Sequence, residues 1–414
     1  MVSSENLRIA MLCPYFAESV GGAEISTQLF VNEINKKEIK VEIISNKTIK
    51  NSKYNIKQLK FFNVLSPMWR SFLLNTNLFD NYLSIKLFKL LNKINPNIIH
   101  VQDILMLPAS VKVAKKLKIP IIVTIRDARF VCNLAVCKEK GDLFFNCSNK
   151  QYLNCLKKTS QNSLGLKMFA YFLFPFLRTR SKTLISSLKR CNKIVSVSNY
   201  VKNNLIRAGI PKEQVQTNYN LIPKWDINIK KNKELRKNFG KNKFIIFASG
   251  RLVNYKGFQV LIKAIANIVN SNKWKKILVL IAGEGSYREE LEELVNKLEL
   301  NEYIKFIGKL SYDEIKNYYS MCDVVVIPSL WQEPLSRIIY DSIGAKKPVI
   351  IADVGGNKEI FSKEYKLIFN HSKGLDFNKL LEYVNKEKNY YKSYKDFNKI
   401  NIKRYIDVYL RLIE

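Results

Sequence analysis

The chain is short of acidic side chains: 35 Asp and Glu stand against 69 Lys and Arg, for a formal charge of +34 over 414 residues. Such an imbalance indicates an anionic partner. The basic residues are spread along the whole chain, and no recognisable nucleic-acid-binding module is present. We therefore expect a nucleotide and an anionic membrane surface as partners, and no specific nucleic acid.

Long hydrophobic runs are also lacking. No stretch approaches about 18 consecutive apolar residues, so no membrane-spanning helix is expected. Residues 1–6 are followed directly by a strand-like segment, which leaves no room for a signal peptide, and the expected location is the cytoplasm. With 47% hydrophobic residues, the chain can bury a large core, most naturally in two domains.

Two apolar segments flanked by basic residues break the pattern of the first half, at 61–75 and 164–180. The apolar run of the second, between Lys167 and Arg178, is too short to span a bilayer. Each segment is either an amphipathic helix in a membrane interface or an ordinary buried helix. The first alternative predicts a peripheral position at the inner face of the plasma membrane.

Cysteine is scarce and odd in number, with seven residues, which argues against a disulfide framework in a cytosolic chain. Four of them are close in sequence: Cys132, Cys137, Cys147 and Cys155. Their spacing contains no Cys-x-x-Cys pair of the kind that zinc knuckles use. Thiols are therefore favoured over a metal site, and we expect no metal.

Short apolar strands alternate with helical patterns from Ile9–Cys13 to Pro348–Ala352. This alternation predicts the α/β class, with two doubly wound, Rossmann-like parallel-sheet domains facing a cleft. A polar, Lys- and Asn-rich stretch near Asn220–Lys243 is the expected seam. Ligands of such sheets bind beyond the carboxyl ends of the strands.

The run Val324–Asp341 is typical of a buried strand, a short loop and a helix. Pro334 fits the first helical position, where a missing N–H costs nothing. The amides of Leu335, Ser336 and Arg337 would then form an anion site, most simply for a phosphate. On one helix, Glu333 and Asp341 would be about 12 Å apart, roughly the reach from a sugar across a diphosphate to a ribose.

A second segment, Gly250–Gly257, follows a strand and opens a helix, which places Arg251 and Lys256 at the strand's carboxyl end. Either residue alone would be interpreted as a solvated base. Together they can neutralise a diphosphate, and stabilising charge on a departing group is the main electrostatic task in glycosyl transfer.

Two glycine turns give weaker signals. Gly21-Gly22-Ala23-Glu24 lies between the first strand and the first helix, and Gly283-Glu284-Gly285 follows the strand that ends at Ala282. Both let a backbone approach a ligand closely, and both are equally compatible with an ordinary turn. Gly283 and Glu284 would edge a nucleotide base.

Several segments occur in an order found in a known family. They are Gly21–Glu24, Ile98–Val101, Ser196–Ser198, Gly250–Leu252 with Lys256–Gly257, Ala282–Gly285, and the run from Pro328 through Pro348 to Gly356. In this order they resemble the retaining glycosyltransferases of family 4 (glycosyl transferases group 1), which have the two-domain GT-B fold. The Arg–Lys pair together with Glu333 is the specific part of the resemblance, which extends over nearly the whole chain.

The resemblance implies an acceptor-binding domain at 1–220 and a nucleotide-sugar-binding domain at 221–394. A C-terminal helix, 395–414, would return to the first domain. No metal or cofactor would be required beyond the donor substrate itself.

The resemblance also implies roles for single residues. Arg251 and Lys256 would bind the diphosphate and Glu333 the donor sugar. Asp341 would hold the ribose, and Gly22 would contact a phosphate oxygen.

The sequence departs from the family pattern at two positions. Asp341 stands where a second Glu is usual, one methylene shorter. Arg126 stands where many members have His, and arginine cannot exchange protons near neutral pH. Attack from the front face with the leaving phosphate as base would still allow transfer.

The chain has only two histidines, so acceptor-side candidates near Arg126 are few. They are His100, Asp103 and Asp127. His100 is alternatively an ordinary core histidine held by hydrogen bonds.

The sequence thus predicts a retaining, metal-independent transferase of the hexosyltransferase type. It would move a sugar from a nucleotide diphosphate sugar to a lipid-linked, lipopolysaccharide or polysaccharide acceptor at the cytoplasmic membrane face. The alternatives are a catalytically silent protein that binds a nucleotide sugar or a basic surface, and a sugar-nucleotide epimerase of the same fold.

Overall fold

A computed structural model gives the fold. It describes a set of ranges that covers most of the chain: 7–16, 21–48, 52–59, 77, 79–132, 147–159, 179–226, 229–271, 276–371, 377–384 and 394–414. By its internal contacts the chain divides into two compact units. The first unit is residues 1–220 with 399–414, and the second is residues 221–398.

The first unit is built on a parallel sheet with the strand order β3-β2-β1-β4-β5-β6-β7 in its described part. The strands are β1 (Arg8–Leu12), β2 (Lys40–Ser45), β3 (Ile56–Gln58), β4 (Ile98–Val101), β5 (Ile121–Ile125), β6 (Lys193–Ser196) and β7 (Val215–Thr217). Every residue of β4 and β5 is buried, because helices cover both faces of a doubly wound sheet. The described helices are α1 (Gly22–Asn35), α2 (Asp80–Ile94), α3 (Leu107–Leu117), α4 (Asn149–Thr159), α5 (179–188) and α6 (Asn199–Arg207).

The second unit repeats this construction with the order β10-β9-β8-β11-β12-β13. Its strands are β8 (Phe244–Ser249), β9 (Ile277–Ala282), β10 (Ile304–Gly308), β11 (Val324–Ile327), β12 (Val349–Ala352) and β13 (Ile368–Phe369). Its described helices are α7 (Ile229–Asn238), α8 (Phe258–Asn270), α9 (Arg288–Lys297), α10 (Tyr312–Met321), α11 (Arg337–Gly344) and α12 (Phe377–Val384). A capping box between Ser311 and Glu314 starts α10.

The last helix, α13 (Phe397–Ile413), belongs to the first unit from Lys399 onward. It buries Tyr405 and Tyr409 against the core of that unit. Tyr405 packs on Phe30 of α1 with ring centroids 4.4 Å apart. The C-terminal segment thereby completes a core made mostly from the first half of the chain.

The predicted fold class is confirmed: both units are parallel α/β sheets with helices on their faces. The seam predicted near Asn220–Lys243 contains α7, which the polar composition had hidden. The segments 61–75 and 164–178 lie outside the described residues. Within the described ranges, no helix combines the length and the apolar character that crossing a bilayer requires.

Candidate active site

Lys256 and the end of β11 are brought together by a glycine. Gly257 adopts φ 76°, in the left-handed region that favours glycine. A Cβ at this position would overlap the carbonyl oxygen of Pro328, which follows β11. The chain therefore passes β11 at a distance that only glycine allows, and Leu330 donates its amide to the carbonyl of Tyr255 at 2.9 Å.

The centre of the site is an ion pair between Lys256 and Glu333. Lys256 Nζ lies 2.6 Å from Glu333 Oε1, and the Ser329 hydroxyl donates to the same oxygen at 2.7 Å. The side chain of Glu333 is 6% exposed and that of Lys256 is 19% exposed. Lys256 also lies 5.4 Å from the centroid of the Trp331 ring. A cation and an acid are thus held together, largely away from bulk water, at the carboxyl edge of the second sheet.

A second glycine turn supports Glu333 from behind. Gly355 has φ 55°, and a Cβ there would overlap the carbonyl oxygen of Glu333. Gly356 donates its amide to that same oxygen at 2.8 Å. The backbone position of Glu333 is therefore set by residues more than 20 positions further along the chain.

The predicted start of the helix after β11 is wrong. α11 begins at Arg337, and Pro334 lies in the preceding loop rather than at the first helical position. The Ser336 amide is already used, because it donates to Asn357 Oδ1 at 3.0 Å. In the described part of the chain, the amides of Leu335, Arg337 and Ile338 have no protein acceptor. Three free amides remain at the helix start. Two of them, on Leu335 and Arg337, were expected, and the Ile338 amide is found in place of that of Ser336.

The late helix start also corrects the relation between Glu333 and Asp341. Glu333 precedes α11, so the two acids do not lie on one helix and the estimate of about 12 Å along an axis does not apply. Asp341 is buried, and its Oδ1 lies 2.9 Å from Arg337 NH2. Arg337 in turn donates to the carbonyl of Leu221 at 2.8 Å. In this structure Asp341 therefore orients Arg337, and its Oδ1 also accepts from the Tyr312 hydroxyl of α10 at 3.5 Å.

Arg251 lies at the exposed side of the same edge. Its guanidinium donates to the Tyr255 hydroxyl at 3.2 Å, and the Tyr255 ring packs against Trp331 with centroids 5.7 Å apart. Arg251 thus contacts the hydroxyl of Tyr255, whereas Lys256 lies over the ring of Trp331. This leaves the guanidinium accessible to an anion arriving from solvent.

The turn at Gly283 and Glu284 packs directly on the Arg251 loop. Gly283 has φ 140°, and a Cβ there would overlap the carbonyl oxygen of Gly250. The Leu252 amide donates to the carbonyl of Glu284 at 3.0 Å, while the Glu284 carboxylate pairs with Arg288. The structure therefore brings Gly283 and Glu284 next to the predicted diphosphate-binding loop.

In the first unit, His100 is a core residue. It is 0% exposed, with Nδ1 2.7 Å from the Tyr409 hydroxyl and Nε2 2.8 Å from the Thr124 hydroxyl. Burial, with a smaller contribution from Arg126, lowers its pKa to about 3. His100 is therefore neutral at physiological pH and does not reach the surface of any cavity described below.

The other acceptor-side candidates line one cavity of about 210 Å³ at the carboxyl edge of the first sheet. Arg126 donates to Gln102 Oε1 at 2.8 Å and to Asn220 Oδ1 at 2.5 Å. Asp103 and Asp127 both hold Arg129, at 3.4 Å and 2.8 Å. The structure thus brings Asp103, Arg126 and Asp127 together and leaves His100 beneath them.

Glu24 lies in the same cavity, beside the predicted phosphate contact Gly22. Its carboxylate lies close to the backbone of Gly21, because a Cβ on Gly21 would be 2.5 Å from Glu24 Oε2. Burial and the charge of Asp103 raise the pKa of this carboxyl group, and Arg126 opposes them. The turn that precedes α1 therefore already has a carboxylate beside it.

Of the four clustered cysteines, Cys137 lies outside the described residues. Cys155 is buried, whereas Cys132 and Cys147 are half-buried. Across the described ranges, no group of three or more His, Cys, Asp or Glu side chains is placed to hold a metal ion.

The sequence predicted no side-chain role for Glu24, Arg129, Ser329, Arg337 and Asn357, although Glu24 belongs to the first glycine turn and the Arg337 amide was expected at the anion site. The first three could have been found, because each lies within five residues of a position already singled out at a strand end. Asn357 could not, since its contact with Ser336 joins loops that follow different strands.

Comparison with known proteins agrees with this layout. The family model for glycosyltransferase family 4 matches residues 20–224, and the model for glycosyl transferases group 1 matches residues 230–404. HepE of Anabaena, solved in complex with UDP-glucose, superposes with a TM-score of 0.64 at 15% identity, covering 98% of both chains. At that identity the likeness shows the fold alone.

Two relatives match over part of their length. An uncharacterized glycosyltransferase of Methanocaldococcus jannaschii is 32% identical over 46% of this chain and 50% of the relative. The O-antigen chain mannosyltransferase RfbU of Salmonella typhimurium is 28% identical over 41% of this chain and 44% of the relative. The match spans about half of each relative or less. Together, the two family models cover nearly the whole chain, which belongs to the family 4, group 1 glycosyltransferases.

Proposed function

We propose that this protein is a retaining glycosyltransferase that moves a sugar from a nucleotide diphosphate sugar to a lipid-linked, lipopolysaccharide or polysaccharide acceptor. The observation that carries the proposal is the cluster of Lys256, Glu333 and Ser329 beside exposed Arg251. Cations and an acid meet there at the carboxyl edge of a Rossmann-like sheet, where ligands of this architecture bind.

The donor is held by the second unit in this proposal. Arg251 and Lys256 neutralise the charge that builds on the departing diphosphate, with the free amides at the start of α11 as additional donors. Glu333 accepts hydrogen bonds from the hydroxyls of the donor sugar. Gly283 and Glu284 edge the nucleotide base, and HepE, which has the same fold, binds UDP-glucose.

Asp341 was expected to hold the ribose of the donor, but its contacts support a different role. Arg337 and the Tyr312 hydroxyl both contact Oδ1 of Asp341, so Asp341 positions Arg337 beside the donor, and a ribose hydroxyl would have to bond Oδ2 or displace one of these partners. Burial of both partners and the bond from Arg337 to the Leu221 carbonyl favour the closed arrangement.

Retention by front-face attack fits the acceptor side. Arg126 cannot accept a proton near neutral pH, and His100 is buried with a pKa of about 3. In this proposal the leaving phosphate oxygen acts as the base, and the carboxylates of the cavity position the acceptor. No metal is required, because basic side chains supply the positive charge at the diphosphate.

Contact with an anionic membrane face is supported by a basic surface on the first unit. Lys112, Lys115, Lys118 and Arg190 line a groove of about 820 Å³ at the amino-terminal end of the first sheet. Each basic residue near an anionic leaflet contributes about 1 kcal/mol of attraction. The relation to an O-antigen mannosyltransferase is consistent with a membrane-associated acceptor.

A donor screen followed by mass spectrometry tests the catalytic proposal. The purified protein is incubated with a panel of nucleotide sugars, with and without chelator, and release of nucleotide diphosphate is measured. The proposal predicts release from one donor that chelation does not reduce. A protein that binds a donor but never cleaves it would be a silent binder, and one that binds none would refute the assignment.

Vesicle sedimentation tests the membrane contact separately. The protein should pellet with vesicles containing anionic lipid at low salt and stay in solution with neutral vesicles. The triple variant Lys112→Ala, Lys115→Ala, Lys118→Ala should pellet less than a variant with three exposed lysines of the second unit replaced. Equal pelleting of the two variants would remove this surface from the account.

A further inference from the structure

The cavity of the first unit has a size and a charge balance that indicate what it holds. Its volume of about 210 Å³ corresponds to the space of about seven water molecules. That is room for one sugar ring with its hydroxyls. Pro14 and Ile104 provide apolar wall, and the remaining lining is largely polar.

The two guanidinium groups of the lining are already engaged. Arg129 is held by Asp127 and Asp103, and Arg126 by the amide oxygens of Gln102 and Asn220. The described lining carries three carboxylates, on Glu24, Asp103 and Asp127, against these two cations. The described lining therefore has a net charge of −1 when all five of these groups are ionised. An anionic ligand would meet like charge in a partly buried site, which disfavours it strongly.

Glu24 is the carboxylate with capacity left for a ligand. An ionised carboxylate has about four acceptor positions, and the backbone of Gly21 lies close to one of the two Glu24 oxygens. Within the described residues, no Lys or Arg nitrogen lies at ion-pair distance from it, whereas Asp103 and Asp127 are both committed to Arg129. Ligand hydroxyls that donate hydrogen bonds would satisfy the remaining positions.

We propose that this cavity binds the acceptor through a single uncharged, hydroxyl-rich sugar ring, with Glu24 as a specificity-determining residue that accepts hydrogen bonds from its hydroxyls. The inference rests on the proposed function and deepens it by naming the acceptor class. A ring bearing a carboxylate or a phosphate is rejected by the carboxylates of the lining. The lipid or glycan to which the ring is attached lies outside the cavity.

The probes are methyl glycosides of common hexoses, each paired with its uronic acid and its 6-phosphate. Binding to the full-length protein is followed by saturation-transfer NMR, and transfer is followed with whichever donor the screen identifies. The wild-type protein should bind one neutral ring at least 10-fold more tightly than either charged counterpart. Preference for a charged ring, or binding of no ring at all, would overturn the inference.

Two substitutions of Glu24 separate its role from a structural one. Glu24→Gln should raise KM for the neutral acceptor about 10-fold, with KM for the donor unchanged. Glu24→Lys should lower the neutral-over-charged preference at least 10-fold. Glu33→Lys, a charge reversal at a partly exposed position of the same helix, is the matched control and should change neither value.

The outcomes distinguish this inference from the proposed function. If nucleotide sugars neither bind nor release nucleotide, the glycosyltransferase proposal fails. If donor release is intact and Glu24→Lys keeps the wild-type preference, only the acceptor assignment fails.

Discussion

Lys256 Nζ and Glu333 Oε1 are 2.6 Å apart, so the cation expected at the diphosphate and the acid expected at the sugar are direct partners. Each holds the other in place while the donor is absent. In the proposed function, the diphosphate and the hydroxyls of the donor would each offer one member of the pair a new partner. The pair would then rearrange as the donor binds.

Replacing Lys256 with Ala should lower kcat by about 10² to 10³-fold, because one fixed cation would be lost from the charge that develops on the diphosphate. The measurement is steady-state release of nucleotide diphosphate. Lys263→Ala, which removes an exposed lysine from α8 of the same unit, should leave kcat unchanged. A Lys256→Ala enzyme with normal kcat would place the essential cation elsewhere.

The change Glu333→Gln separates charge from packing. Gln can still accept hydrogen bonds from Ser329 and Lys256 but no longer balances the Lys256 charge, so the free energy of unfolding should fall by about 1 to 3 kcal/mol. Activity should fall about 100-fold, because the neutral amide oxygen is a weaker acceptor for the donor sugar. Urea unfolding and steady-state kinetics give the two values. A large loss of stability without loss of activity would show that Glu333 is only structural.

The close approach of Gly257 to Pro328 predicts that a Gly→Ala substitution destabilises the protein more at Gly257 than at a glycine with open space around it. Gly257→Ala combines a left-handed backbone with overlap on the Pro328 carbonyl, so it should destabilise the protein by more than about 1 kcal/mol and weaken donor binding. Gly209→Ala is the matched control: its φ of 83° is similar, and only the end of the Lys189 side chain is near. It should cost about 1 kcal/mol and leave donor binding intact. Equal effects on donor binding would refute the steric argument.

Buried His100 makes stability depend on pH. Its folded-state pKa of about 3 lies below the ordinary value of 6.5, so acid protonates the unfolded chain first and favours unfolding. Stability from this group is full above pH 6.5 and is lost as the pH falls toward 3. Between pH 7 and 5 the wild type should lose about 2 kcal/mol relative to His100→Gln. Parallel urea titrations of the two proteins would contradict this if their difference stayed constant.

Much of the fold was readable from the sequence because the signals are local. Buried strands such as β11 are uninterrupted apolar runs, Gly283 directly follows β9, and Gly257 directly precedes α8. Helix α2 was not among the predicted elements. The spacing of Leu83, Leu87 and Leu91, every four residues, is nevertheless typical of one buried helix face.

The site was less readable, because its details depend on contacts between distant segments. Pro334 carries a helix-start signal, but Asn357 captures the Ser336 amide and the helix begins later. The sequence predicts that the Asp341 carboxylate is free to bind a ribose, whereas in the structure it pairs with Arg337. In both cases the residue type indicates what the residue can do. The residue that it contacts determines what it does, and that contact could not be inferred from the spacing of residues in the sequence.

The central claim is that Arg251 and its loop hold a nucleotide diphosphate. Isothermal titration of the screened nucleotide sugar into wild type, Arg251→Ala and the Lys263→Ala control tests it most directly. The account predicts saturable binding that is at least 10-fold weaker in Arg251→Ala and unchanged in the control. Identical binding by Arg251→Ala and the wild type, or no saturable binding of any nucleotide sugar, would contradict it.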